Sequence, residues 1–298
     1  MMISNNSLYR ALYRIRIFEE TVLDNFPRSI FFGTTHTYLG QEADAVGVLS
    51  SILEIDLVFS NHRCHGHFLA YGGDPRSLFA ELLGRSTGVC GGRGGSQHLH
   101  WKNFYSNGVQ GGIVPIATGM ALAEKYKQSS AVTIAFLGDG TLGEGIIYEA
   151  FNLASLWKAP ILYVLENNHI AQTTGIELSM AGNIETRFNA FGIPSHQLNT
   201  SDVIGIHALA SELISTVRGK QSPLALILNT YRFGPHSKGD DTRDPKLLDQ
   251  LKQAYDPIKI LGSRLNQDDK AIIESEVIEE INAAFKSALN DPFPVDSL

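Results

Sequence analysis

Cysteine is scarce: Cys64 and Cys90 are the only two in 298 residues, which excludes a disulfide framework. No apolar run approaches the ~20 residues that span a bilayer. The longest, Ala131 to Leu137, contains Thr133 and reads as a buried strand. Basic charge is in deficit, with 24 Lys and Arg against 31 Asp and Glu for a formal net charge of −7. Sequence-independent nucleic-acid binding needs a basic footprint, so that class is excluded. Internal repeats, low-complexity tracts and charge blocks are absent. Met1 to Tyr9 has neither the apolar stretch of a signal peptide nor the arginine-rich character of a transit peptide, so a cytoplasmic location is expected. What remains, at 43% hydrophobic and 18% charged residues, is a globular composition.

Glycine is plentiful but uneven. Gly84 to Gly95 reads GRSTGVCGGRGG, and Gly108, Gly111, Gly112 and Gly119 follow. Such density implies loops that approach something closely, or turns with positive φ.

Apolar residues at Leu8, Leu12, Ile15, Phe18 and Val22 have helical spacing, and Gln41–Leu53, Pro115–Tyr126 and Glu144–Trp157 also read as helices. Ala131–Leu137, Ile161–Leu165 and Leu224–Leu228 are apolar at consecutive positions, which suits strands buried on both faces of a parallel sheet. Strand, helix and strand within about 35 residues make a right-handed crossover. The expected fold is one α/β domain over residues 1–298: a doubly wound parallel sheet with helices on both faces. A helical tail from about 246 carries Ile273, Val277, Ile281, Phe285 and Leu289 at four-residue intervals. Ligands are expected beyond the C-terminal strand ends.

The strand ends hold the chemistry. The first of these strands ends in Gly138-Asp139-Gly140 and the next in Glu166-Asn167-Asn168, with 26 residues between Gly140 and Asn167. Adjacent parallel strands would set Asp139 beside Asn168. A carboxylate and an amide oxygen are hard ligands, suited to Mg²⁺ or Ca²⁺. Gly138 and Gly140 let the backbone approach, and a helix N-terminus after Thr141 would offer N–H groups to phosphates. Alone, each tripeptide reads as a turn or a polar cap; together, at this spacing, they read as a magnesium-bridged diphosphate site.

Gly-Asp-Gly followed by Asn-Asn at this distance resembles the thiamine diphosphate motif of transketolases, pyruvate-decarboxylase-like enzymes and 2-oxo-acid dehydrogenases. Tyr38–Ala43 (YLGQEA), His62–Gly66 (HRCHG), Gly91–Ser96 (GGRGGS), Gly140–Ala150 (GTLGEGIIYEA) and Tyr231–Ser237 (YRFGPHS) are similar, in order and spacing, to one branch. That branch is the α subunit of the decarboxylating component of 2-oxo-acid dehydrogenases of pyruvate, branched-chain and acetoin types. The likeness runs from about Tyr9 to Pro294.

The resemblance implies the thiamine-diphosphate-binding version of the fold, with thiamine diphosphate and Mg²⁺ as cofactors. It implies Asp139, Asn168 and the Ile170 carbonyl as metal ligands. Arg63 and His236 would hold the diphosphate, with His62 beside them and backbone at Gly138, Gly140 and Thr141. Gly108 and Gln110 would contact the aminopyrimidine through their backbone. His36 and His236 are implied as catalytic. A separate β subunit would supply the aminopyrimidine-side Glu in an assembly of two α and two β chains, and a lipoyl acyltransferase would take the acyl group from a small 2-oxo acid. Two residues depart from the pattern: His62 stands where many relatives have Tyr, and Gln110 where they have an apolar residue. Two other readings stay open. One is half of a split transketolase-like transferase; the other is a scaffold subunit that has kept the fold.

His62–His67 could be read as a zinc cluster, but ligands crowded into six residues without a distant pair fit structural-zinc spacings poorly. His65 reads as a neighbour of the site and His67 as a packed histidine. Ser237 matches a region phosphorylated in some relatives; a mobile loop ordered by cofactor is the preferred reading. In it Lys238, Asp240, Asp241 and Arg243 could pair with one another. Trypsin should therefore cut between Tyr231 and Asp244 without cofactor and be held off with it; equal cutting in both states would contradict this.

Overall fold

The computed structural model describes residues 3–237, 239 and 241–295. Along the chain come α1 (Asn5–Asn25), α2 (Glu42–Leu49), β1 (Leu57–Ser60), α3 (Cys64–Ala70), α4 (Pro75–Leu82), β2 (His100–Trp101), β3 (Phe104–Ser106), α5 (Ile113–Tyr126), β4 (Thr133–Gly138), α6 (Gly145–Leu156) and β5 (Ile161–Asn167). There follow β6 (Ile170–Ala171), β7 (Thr174–Gly175), α7 (Ile176–Ser179), α8 (Ile184–Asn189), β8 (Ser195–Asn199), α9 (Val203–Lys220), β9 (Leu224–Asn229), α10 (Pro245–Tyr255), α11 (Pro257–Gly262) and α12 (Gln267–Leu289). None of these helices is long and apolar enough to cross a membrane.

Seven strands form one sheet in the order β2-β3-β1-β4-β5-β9-β8. Every neighbouring pair is parallel except β2 with β3. Side chains on a strand alternate between faces, and here both faces are buried. Ile134, Phe136, Leu162, Val164 and Leu226 join the core shared with α1, α2, α4, α9 and α12. Ala135, Leu137, Ile161, Tyr163 and Ile227 join the opposite core with α5, α6 and α8. The helices thus sit on both faces, as the consecutive apolar runs imply.

Helix starts follow local chemistry. Asp74-Pro75, Asp244-Pro245 and Asp256-Pro257 open α4, α10 and α11, each Asp side chain accepting a backbone N–H from the first turn. Proline at the first helical position lacks only an N–H that would have no helical partner. The tail is packed: Ile273, Val277 and Ile281 bury one stripe of α12, and Tyr9 and Arg14 of α1 bond to Glu274 and Glu280.

The glycine-rich loop closes on a carboxylate of the protein itself. Glu81, fully buried at the end of α4, accepts N–H groups of Cys90 and Gly92 on one oxygen and of Gly94 and Gly95 on the other. Gly92 and Gly95 have positive φ, and a Cβ on Gly92 would lie 2.4 Å from the Arg85 carbonyl oxygen. Charge-assisted bonds to a buried group are costly to lose, because each donor stays desolvated. Glu81→Ala should destabilise the fold by about 3 kcal/mol or more, read as a lower urea midpoint; a change under about 0.5 kcal/mol, the range of an ordinary surface substitution, would contradict this role.

Candidate active site

Chain direction reverses at the centre of the sheet. The connection from β1 runs to β3 on one side, and that from β4 runs to β5 on the other. Diverging connections open a crevice beyond the C-terminal strand ends. β1 delivers Asn61, His62 and Arg63 to it; β3 delivers Gly108 and Gln110; β4 delivers Gly138 to Thr141; β5 delivers Asn168 and Ile170. His36 arrives from the segment before α2, and His236 from the segment after β9. These residues line one cavity of about 390 Å³. The cavity thus brings together all twelve site residues named from sequence.

One wall offers oxygen. Gly138 pairs with Glu166, so Asp139 leaves β4 level with the end of β5. Asp139 Oδ1 accepts the Gly140 N–H at 3.0 Å, while Oδ2 is buried with no partner among the described residues. Burial pushes this carboxyl above the usual range. Asn168 donates to Gln41 Oε1 at 3.3 Å, which turns its carbonyl oxygen the other way, toward the Ile170 N–H. A Cβ on Gly140 would lie 2.8 Å from Ala171 Cβ, so glycine permits the segment after β5 to fold over this corner. An orphaned carboxylate oxygen beside an amide oxygen fits a hard divalent cation. The expected helix N-terminus after Thr141 takes another form: a 3₁₀ turn spans Asp139–Gly143, and α6 starts at Gly145.

The facing wall is cationic. Arg63 is buried and donates to the Thr37 carbonyl at 2.6 Å and to His236 Nδ1 at 3.2 Å, with none of these bonds going to a carboxylate. Burial, reinforced by nearby Arg232, lowers its pKa to about 9. Arg232 also donates to His236 Nδ1, at 3.3 Å. Guanidinium groups only donate, so this nitrogen is an acceptor and the His236 proton sits on Nε2. Gln97 fixes His36 similarly, donating to its Nδ1 at 3.2 Å and to the Thr34 carbonyl. Burial and the Arg63 charge hold the His62 pKa well below the ordinary histidine value.

His36, His62 and His236 have ring nitrogens within 4.8 Å of one another, the spacing of a metal cluster. The guanidiniums touching His236 oppose a cation there and favour an anion. The zinc reading of His62–His67 fails on direction. Cys64 points to the Ser96 carbonyl, His65 to Glu19 and Ser96, and His67 to Glu166 and Ser60. His67 is buried, as a packed histidine would be, and also belongs to a polar network. In the loop after β9, Asp241 and Arg243 pair at 2.6 Å, while Lys238 and Asp240 lie outside the described residues.

Sequence reasoning missed Glu166. Its carboxylate accepts from Tyr38 Oη and from Asn61 Nδ2 at 3.2 Å, and it contacts His67 Nε2 at 3.1 Å. Asn61 Oδ1 in turn accepts the Arg63 N–H at 2.8 Å. The end of β5 therefore orients the residue that starts α3 and carries the guanidinium. A charged residue closing an otherwise apolar strand was the available signal. Gln41 and Glu144, inside segments that carry the family resemblance, and Gln97 and Gln172, which carried no signal, also line the cavity.

Fold and cavity together define a class: an α/β protein whose switch-point crevice gathers hard oxygen donors with guanidinium and imidazole donors, suited to a cation-bridged phosphate. Residues 10–296 match the family model described as dehydrogenase E1 component, and the chain belongs to that family. It is 35% identical to the pyruvate dehydrogenase E1 component subunit alpha of Rhizobium meliloti, over 96% of this chain and 86% of that protein. It is 33% identical to the Zymomonas mobilis protein of the same name, over 97% and 85%. The alpha subunit of acetoin:2,6-dichlorophenolindophenol oxidoreductase from Bacillus subtilis is 34% identical, over 97% and 90%.

Asp139→Asn should raise the melting temperature of the cation-free protein by a few degrees, because it removes a buried charge whose second oxygen has no partner among the described residues. The same substitution should abolish the stabilisation that Mg²⁺ with inorganic diphosphate gives the native protein. Melting curves check both; a variant that keeps the diphosphate effect would remove Asp139 from the site.

Proposed function

We propose that this chain is the α subunit of a thiamine-diphosphate-dependent 2-oxo-acid or acetoin dehydrogenase, active only with a β subunit. The observation that carries the reading is the gathering of Asp139, Asn168, Arg63 and His236 in one cavity at the switch point. Membership of the E1 component family and the α-subunit names of its relatives supply the reaction class. A cytoplasmic location and an assembly of two α and two β chains belong to the same reading.

Thiamine diphosphate, when bound, supplies the electron sink on which a 2-oxo acid loses CO₂. Asp139, Asn168 and the Ile170 carbonyl would hold Mg²⁺. Arg63 and the Nε2–H of His236 would take the diphosphate, with backbone at Gly140 and Thr141. Arg63 is desolvated before the anion arrives, so the pairing is strong in a low-dielectric site. Gly108 and Gln110 pass the aminopyrimidine through backbone groups. His36 presents Nε2–H toward the cavity, set there by Gln97, and serves the substrate carboxylate or a proton transfer. With a lipoyl acyltransferase as partner, the acyl group would leave as a thioester and the lipoyl disulfide would take up the electron pair left by CO₂.

Co-purification from the native cell with Mg²⁺ and thiamine diphosphate tests the assignment. A stoichiometric β chain together with a lipoyl acyltransferase supports it. A transketolase-like second half without a lipoyl protein would replace it with the split transferase, and no partner and no cofactor would leave a scaffold. In the active complex, His36→Ala and His236→Ala should each lower turnover by about 10²–10⁴-fold. An effect under about tenfold would take that residue off the catalytic list.

A further inference from the structure

Gln41 is 1% exposed and lines the cavity. Its side chain makes one hydrogen bond among the described residues: Oε1 accepts from Asn168 Nδ2 at 3.3 Å. Its Nε2 is buried with no partner among those residues. The polarity of both amides follows from the backbone. The Ile170 N–H can only donate, so the Asn168 atom that it meets at 3.3 Å is the carbonyl oxygen. The Asn168 nitrogen then faces Gln41, which must answer with its own oxygen and leave its nitrogen unmet. A chain of donors of fixed direction therefore runs from Ile170 through Asn168 to Gln41.

The turn that carries Gln41 is held without this bond. Gly40 has a φ of 94°, and a Cβ there would lie 2.2 Å from the Tyr231 carbonyl oxygen. The Gly40 N–H donates to Glu42 at 3.0 Å, and the Phe233 N–H donates to the Leu39 carbonyl at 2.9 Å. The Gln41 side chain adds one long neutral bond to that support and buries a donor without a partner. Leaving a buried donor unmet costs more than such a bond contributes, so the fold alone gives no reason for a glutamine here. A metal ligand, by contrast, depends on the group behind it for its orientation. We infer that Gln41 is a positioning residue for the cation, holding the Asn168 amide so that its carbonyl oxygen, and not its nitrogen, is offered to the metal. The inference rests on the cation site proposed above and adds the residue that orients its amide ligand.

The test is the binding of Mn²⁺, in the presence of inorganic diphosphate, to the complex of this chain with its native β subunit. Equilibrium dialysis gives the affinity, and melting curves of the cation-free complexes are recorded alongside. Gln41→Met is similar in length and has no amide oxygen. It should weaken Mn²⁺ binding about tenfold or more, with a cation-free melting temperature unchanged or higher. Asn168→Asp presents a carboxylate oxygen whichever way it turns. In that background the effect of Gln41→Met should fall below about threefold, because no amide is left to orient. A loss of folding would carry over into it undiminished. A smaller loss than about tenfold in Gln41→Met would overturn the inference and leave the cation site standing. A lowered cation-free melting temperature, or an effect that stays above about threefold in the Asn168→Asp background, would make Gln41 a support of the fold and overturn it equally. A native complex that binds no Mn²⁺ would contradict the cation site itself.

Discussion

The site depends on the register of two strands. Thr133–Gly138 pairs residue for residue with Ile161–Glu166, so β4 and β5 end together and Asp139 emerges beside the segment that carries Asn168. A slip of one residue would turn every side chain of a strand to its opposite face. Here both faces are buried, so a slip would disrupt two cores at once. β1 is tied to β4 by Leu57–Phe59 against Thr133–Ala135, and Arg63 follows three residues beyond the end of β1. The apolar interior thus fixes the distance between the oxygen wall and the guanidinium wall.

That precision is maintained against unfavourable electrostatics. Asp139 keeps a buried oxygen without a partner among the described residues, and Arg63 lies desolvated close to a second guanidinium. Neither arrangement stabilises the free chain. In the proposed reading both would resolve on joint entry of a cation and an anion, which is how binding energy becomes available to a reaction. Some buried charges elsewhere are compensated, while Asp44 too keeps a buried oxygen without a partner among the described residues. Arg16 bonds to Glu42 and Asp256 and joins α1, α2 and α11, while Arg218 pairs with fully buried Asp56 across the N-terminal ends of β1 and β4.

Much of this was legible in the sequence because the central strands are apolar at consecutive positions and stop in chemically distinct tripeptides. β8 was not: Ser195–Asn199 is a polar strand at the sheet edge with no apolar face to reveal it. β1 is only four residues long, too short for its pattern to stand out. The glycine-rich stretch announced a close approach, but its partner, Glu81, lies upstream in α4 and only the folded chain shows it. Links such as Glu166 to Asn61 to Arg63 have no sequence period. They are made between strand ends that lie far apart in the chain. His36 was legible only through the family resemblance, since nothing around it marks it as functional.

The claim on which this account turns is that the corner between β4 and β5 holds the divalent cation. The complex of this chain with its β subunit, crystallised with thiamine diphosphate and Mn²⁺ in place of Mg²⁺, would give an anomalous difference map at the manganese edge. The account predicts one peak in this cavity, between Asp139 and Asn168, with the diphosphate against Arg63 and His236. A peak within the His36, His62 and His236 cluster, or diphosphate bound without contact to Arg63, would contradict it.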